Sequence, residues 1–387
     1  MRRAHFLPAV IGLGIGATVF WATSSQAAMA PQECADALMA AMAASGVTAS
    51  HASATADGDA VTITAITAKQ ANGRSLTIDS LTFSNPTPRE GGGFSADKME
   101  FTGAKAALRE NTIRAAKGFL EQPVVPSADE VKARARVTPF SRAVISGISA
   151  SDSDSNEQAP VSIDSIELSL GNLAKGVPHN MKLAVRGIAF DGARLSDLPI
   201  PVAMIDDPTM LGDLRLDIGV DTIYDSEKDA LTIRSISLSA PKVGNLTVSA
   251  AVSGLPLGTL ASEEKRNETA LSAKLDSATM RFENAGIVER MLDEQAKATG
   301  ETRQAYLDNF LPKLPGLLSE RLGASDFQQK LAAAAEAFLK DPKSITVESH
   351  PSEPVPVFLI ALAALQIAFG APVDLSEVRD VEIKTNQ

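Results

Sequence analysis

The sequence predicts an α+β chain that is mainly β, with a large curved antiparallel sheet of repeated meanders and C-terminal helices packed on it. Three observations carry this. A nine-residue phrase recurs as LTIDSLTFS at Leu76 to Ser84, VSIDSIELS at Val161 to Ser169 and LTIRSISLS at Leu231 to Ser239, apolar at i, i+2, i+5 and i+7 with Ser at i+4 and i+8. Asp57-Gly58 and Asn72-Gly73 punctuate alternating segments, and such dipeptides mark hairpins because both turn residues must reach positive φ. After Ala285 the period-two texture gives way to helical spacing. Self-similar strand phrases imply a sheet assembled from equivalent meanders.

The elements follow in order. Arg2 and Arg3, the apolar run Ala9 to Ala22 and the small residues of Ser25-Gln26-Ala27 form the charged, apolar and cleavage regions of a secretory signal peptide. Residues 1–27 are therefore expected to be removed and the mature chain to begin at Ala28. Pro31 to Ser45 reads as a short helix with Ala35, Leu38 and Met42 on one stripe. Val47 to Thr55, Val61 to Lys69, Leu76 to Ser84 and Phe94 to Gly103 read as strands, and Ala104 to Leu120 is a candidate helix. A second meander runs from Ala143 to Phe190 and a third from Leu214 to Val252. Ala285 to Thr299, Arg303 to Leu322 and Ser325 to Leu339 are helical, with Pro312 and Pro315 kinking or dividing the second. Ser344 to Ser349 is a strand, Val357 to Phe369 an apolar helix and Val378 to Thr385 a last strand. The expected organisation is thus a signal peptide at 1–27, a repeated sheet region with a short N-terminal helix at 28–284, and a helical cover with two strands rejoining the sheet at 285–387.

The step of three inside each phrase breaks strand alternation at one place. Either a bulge absorbs one residue and all four apolar groups face one core, or each strand changes its buried face halfway. The serines should then point outward, with Ile78, Ile163 and Ile233 in matching buried places.

Composition excludes several functions. The chain carries 36 Lys and Arg against 47 Asp and Glu, a net charge of −11; loss of Arg2 and Arg3 takes the mature chain to −13. Nucleic acid is a poor partner for such a chain, because it requires a basic footprint. Anionic headgroups would be repelled as well unless charge is locally segregated. One cysteine allows no internal disulfide, and aromatics at 4% suit a smooth aliphatic sheet face better than a stacking site for sugars or bases.

No HExxH, GxSxG, phosphate-loop or CxxC pattern occurs in the mature chain, so no catalytic residue, cofactor site or metal site is assigned. Asp152, Asp154, Asn156 and Glu157 alternate as calcium ligands do, but the sixth-position glycine is missing and Ile163 stands at the twelfth; a solvated loop is expected. His51, His179 and His350 lie far apart in sequence, without a carboxylate at ligand spacing. Asp79 and Asp164 share position i+3 of their phrases, where the third copy has Arg234, which favours a solvent-facing or bulge-stabilising role over a catalytic pair. Cys34 reads as a buried thiol on the first helix. The run VFLIALAALQIAFGA from Val357 to Ala371 is too short to span a bilayer. Its Val357, Leu359, Leu362, Ala364 and Phe369 are the candidate lining of an apolar groove.

The repeated phrases, together with the tail AEAFLKDPKSITVESHPSEPVPV at Ala335 to Val357 and the apolar helix and strand after it, resemble uncharacterised secreted proteins of Gram-negative bacteria. More remotely, the chain looks like the YdgA-like and AsmA-like envelope proteins. The resemblance implies long curved sheets of repeated strands and, for AsmA-like relatives, a hydrophobic groove serving lipids between membranes. It offers no catalytic residues. The expectation is a non-catalytic periplasmic protein that binds an apolar ligand, such as a lipid acyl chain, between the sheet and the helices. A protein-interaction scaffold that engages an envelope protein through its sheet edge or loops is the alternative, and a hydrolase with a dispersed site a minor one.

Overall fold

The structure is a computed structural model that describes residues 29–108, 111–133, 139–152, 161–171, 173–174, 177–190, 214–257, 271–323, 325–360 and 380–386. The expected signal peptide lies outside them. The chain divides into two compact units, Met1–Asp191 and Gly192–Gln387.

In the first unit, helix α1 (Pro31–Ala44) opens with proline in its first turn, and the Ala30 N–H donates to Glu33. Strands β1 (Val47–Ser50) and β2 (Ser53–Asp57) both pair with β3 (Ala60–Gln70), which turns at Asn72-Gly73 into β4 (Ser75–Ser84). The fragments β5 (Thr87–Pro88) and β6 (Phe94–Ser95) form a small separate sheet with β9 (Val124–Val125). Strands β7 (Lys98–Ala107) and β8 (Asn111–Glu121) precede β9, and the one-turn helix α2 (Ala128–Lys132) follows it. Strands β10 (Arg142–Asp152) and β11 (Val161–Leu170), the two-residue pair β12 (Leu173–Ala174) and β13 (Val177–Pro178), and β14 (Asn180–Phe190) complete the unit. The sheet order is β1–β3–β4–β7–β8–β10–β11–β14, antiparallel throughout.

One expectation fails here. The described residues of Ala104 to Leu120 form no helix: they are the end of β7 and nearly all of β8. Its alanines and lysines have good helix propensity, but pairing on both flanks overrides so weak a preference. Gly118 records the tertiary demand, since a Cβ there would lie 2.5 Å from the Phe101 ring and 2.6 Å from the Val144 carbonyl oxygen.

The phrase resolves in favour of a single buried face. On β3, whose Val61–Lys69 repeats the spacing i, i+2, i+5, i+7, Val61, Ile63, Ile66 and Ala68 are all buried. In the first phrase Leu81 and Phe83 are buried too, but Ile78, Ile163 and Ile233, expected in matching buried places, are each half-buried. The mechanism differs from a one-sided bulge. Thr64 faces Ser80 and Ile66 faces Ile78, so Ala65 and Asp79 drop out of the ladder together and the register is kept. The same holds for Gly103 with Ala116, and for Ala116 with Gly147. A row of distortion therefore crosses the sheet at Ala65, Asp79, Gly103, Ala116, Gly147, Asp164 and Gly187, with positive φ on every second strand: Ala65 (+49°), Gly103 (+62°), Gly147 (+63°) and Gly187 (+65°).

Burial concentrates beneath α1. Cys34 and Ala35 of the helix meet Ile63, Ile66, Leu81 and Phe83 of the sheet and Phe94 of the small sheet. Phe83 and Phe94 are fully buried and stand edge to face with ring centroids 5.0 Å apart, a favoured aromatic geometry. A bidentate ion pair ties α2 to the β5–β6 turn: Arg89 Nη1 and Nη2 donate to Glu130 at 2.9 and 3.1 Å, and Glu130 also accepts from the Ser127 N–H at 2.8 Å.

In the second unit, β15 (Arg215–Asp225), β16 (Ala230–Ala240), β17 (Gly244–Ser253) and β18 (Lys274–Asn284) form a meander. Here the bulge is one-sided. Asp221 faces Ser235 and Thr222 faces Ile233, leaving Arg234 as an extra residue on β16, its guanidinium 3.9 Å from Asp221. Helices α3 (Ile287–Thr299), α4 (Arg303–Phe310), α5 (Leu314–Leu322) and α6 (Asp326–Lys340) follow, with a 3-10 turn at Leu311–Lys313 between α4 and α5. The prolines divide this segment as expected. Asn284 anchors the helices to the sheet: its side chain donates to Glu289 and the Pro342 carbonyl and accepts from the Gly286 and Val288 N–H groups, which caps α3. Strand β19 (Ser344–Ser349) joins β18, the two-residue β20 (Val355–Pro356) joins the other end of β18, and β21 (Val381–Thr385) joins β19. Helix α6 lies against β19 and β21, and Phe338 meets Phe282 edge on at 6.3 Å. No described helix is long and apolar enough to cross a membrane.

Candidate apolar binding face

Alternation sends one set of second-unit side chains to each side of the sheet. One face carries an unbroken cross-strand row, Val220–Ile236–Val248–Met280–Val347–Ile383, each residue directly opposite the next. Beside it runs Ile218–Leu238–Leu246–Phe282–Ile345, and α6 covers that row at Phe282. The bulge at Arg234 keeps Leu231 and Ile233 on the same side, opposite Val252 and Ala250. The reverse face is polar: Ser235, Ser237 and Ser239 stand opposite Asp221, Gly219 and Asp217, and Lys384 pairs with Glu348 at 2.9 Å. The serines of the third phrase therefore lie on the face opposite the apolar row, where all three are half-buried.

The apolar face is incompletely covered. Ile236 is 40% and Met280 47% exposed, in mid-strand and away from the sheet edge. At the start of β18, Leu271 and Phe358, Leu359 and Ile360 are exposed too, the last three on a segment held there by the Val357 N–H donating to the Ala273 carbonyl at 3.0 Å. A shallow groove of about 450 Å³ lies where α6 overhangs β21, lined by Ala333, Ala334, Ala337, Val381 and Ile383 and also by Lys330, Glu382 and Thr385. Isolated exposed apolar residues are ordinary, whereas a contiguous set marks a surface that something else covers.

Of the groove residues taken from the sequence, Val357 is half-buried and Leu359 exposed; Leu362, Ala364 and Phe369 lie outside the described residues. Asp152 ends β10, and Asp154, Asn156 and Glu157 also lie outside the described residues. His51 is half-buried, while His179 and His350 are exposed. Among the described residues no group of three His, Cys, Asp or Glu is placed to hold a metal ion.

Asp79 and Asp164 sit on the distortion row, beside left-handed glycines. A Cβ on Gly103 would fall 1.8 Å from Asp79 Oδ2, and one on Gly187 would fall 2.1 Å from Asp164 Oδ2. Their strands are four ladder spacings apart, about 19 Å, whereas a carboxylate pair that works together on one bond needs roughly 5 to 10 Å. Cys34 is fully buried, and desolvation pushes its thiol up to about 12, which leaves negligible thiolate at neutral pH. Ile236 and Met280 were not singled out by the sequence reading. The available signal was the third phrase itself, whose i+5 position is Ile236.

A family described only as an uncharacterized protein matches residues 237–386, which take in this face from the C-terminal end of β16 to β21. No curated protein matches the chain.

Proposed function

We propose that this is a non-catalytic periplasmic protein of the cell envelope that holds a lipid acyl chain against the apolar face of the second unit. The observation that carries the reading is the Val220–Ile236–Val248–Met280 row, apolar across four strands and open at Ile236 and Met280. These strands span three ladder spacings, about 14 Å, and each methylene of a chain laid along them gains roughly 0.8 kcal/mol on leaving water. Phe358, Leu359 and Ile360, next to the start of β18, are exposed as well. The signal-peptide pattern and the resemblance to AsmA-like proteins support an envelope location and a lipid ligand.

The test is titration of the mature protein with a fluorescent long-chain fatty acid, together with mass spectrometry of lipids extracted from native protein. Ile236→Glu combined with Met280→Glu should abolish binding and leave the circular dichroism spectrum unchanged, while Ser237→Glu on the opposite face should bind normally. A wild type that carries no extracted lipid and binds no fatty acid would refute the reading.

A further inference from the structure

The polar face of the first unit is unevenly charged, although the chain as a whole is acidic. On one side of the distortion row the cations are neutralised: Lys98 pairs with Glu100 at 2.7 Å, Arg142 with Glu121 at 3.1 Å and Glu167 at 2.7 Å, and both cations stack on Phe119. Bordering and beyond the row stand Lys69, Lys105, Arg114, Lys117 and Arg186, all exposed and, among the described residues, none in an ion pair; Arg114 donates to the Ser151 hydroxyl at 3.4 Å. The two carboxylates among them, Asp79 and Asp164, lean onto Gly103 and Gly187. Lys105 stands directly opposite Arg114 on the neighbouring strand, an arrangement that destabilises a sheet. Stability therefore does not account for the cluster.

We propose that this face binds an anionic polysaccharide. Lys117 and Arg186 lie on one cross-strand row with Ser146 and Ser165 between them, three ladder spacings apart, and Arg114 continues into Ser149 and Ser162 on the next. The cations are thus set about 5 to 14 Å apart, with hydroxyls in the gaps. That pattern fits a chain with repeated carboxylates and sugar hydroxyls better than one compact anion, which needs donors converging on a point. It also fits better than a bilayer, because the one large aromatic near these residues, Phe119, lies beneath Lys98 and Arg142 and is not free to enter the acyl region. Scarcity of aromatics disfavours neutral sugars, which stack, but not a charged glycan held by lysine and arginine. The inference is independent of the acyl-chain reading, which concerns the other unit.

The experiment is calorimetric titration of the whole mature protein with oligogalacturonate at low salt, with neutral dextran and anionic phosphatidylglycerol vesicles as the other arms. Oligogalacturonate should bind, and binding should weaken steeply as the ionic strength rises to physiological values. Lys105→Gln with Lys117→Gln should lower affinity about tenfold or more, whereas Lys98→Gln with Arg142→Gln, an equal change in net charge, should lower it about twofold or less. The first pair should also unfold at an equal or higher urea concentration than wild type, since it relieves like-charge opposition; Arg186→Gln provides a second reading at the far end of the row. No binding of oligogalacturonate, equal losses in the two double variants, or binding to vesicles alone would overturn the proposal.

Discussion

Gly103→Ala separates the two demands that the distortion row makes on its residues. At φ +62° an alanine pays the left-handed penalty of about 1 to 2 kcal/mol. Its Cβ would also lie 1.8 Å from Asp79 Oδ2 and 2.9 Å from Asp79 Cβ, and displacing that side chain adds an overpacking term of about 1 to 3 kcal/mol. The expected loss is about 2 to 5 kcal/mol. Gly46, at φ +79° with nothing within 4 Å of its Cβ position, isolates the first term, so Gly46→Ala should cost about 1 to 2 kcal/mol. In an Asp79→Gly background Gly103→Ala should fall to the Gly46 level. The converse applies on β3, where Ala65 is left-handed at φ +49°. Ala65→Gly should stabilise by about 0.5 kcal/mol, strain relief less the added chain entropy. Urea unfolding followed by far-ultraviolet circular dichroism measures all four. Equal losses for Gly103→Ala and Gly46→Ala would refute the crowding of Asp79 against Gly103.

Three further outcomes are expected. Phe83→Ala should cost about 3 to 5 kcal/mol in urea unfolding, because its ring is fully buried against Phe94; Ile163→Ala, on the same face but half-buried, should cost about 1 to 2 kcal/mol. Glu130 is pushed up by desolvation but held net below its ordinary carboxylate range by Arg89 and the Ser127 N–H, so its contribution is complete above that range and is lost as pH falls through the depressed value. Glu130→Gln should cost about 2 kcal/mol at neutral pH and flatten the acid limb of a stability–pH profile; an unchanged limb would show that the pair is inert. Cys34, with its raised pKa, should resist a thiol reagent at neutral pH in the folded protein and react on addition of urea, and fast native labelling would contradict its burial.

The sheet was largely legible in the sequence because its signals are local. Alternation marks strands, Asp-Gly and Asn-Gly mark turns, and Pro312 and Pro315 divide a helix wherever they fall. The first strand of the hairpin at Lys98–Glu121 was legible as far as Gly103, but the rest was not. Its alanine-rich stretch prefers a helix, and only long-range partners on β4 and β10 decide otherwise. The phrase showed that alternation breaks at i+3, but not that the neighbouring strand yields a residue at the same row, because that compensation lies across the ladder at Ala65 and Gly103. The candidate apolar face was legible only as composition. Which aliphatic residues stay open depends on how far α6 reaches over the sheet, and no residue of the phrase encodes that distance.

The distortion row also bears on how such a sheet can lengthen. Left-handed residues occur on β3, β7, β10 and β14, while the strands between them, β4, β8 and β11, bear Asp79, Ala116 and Asp164. Adding or losing a single strand would set two left-handed strands, or two ordinary ones, side by side and break the in-phase match that preserves register. Adding or losing a hairpin leaves the alternation intact. Duplication by hairpins is thus the step this architecture tolerates, and homologues that differ in length should differ by even numbers of strands.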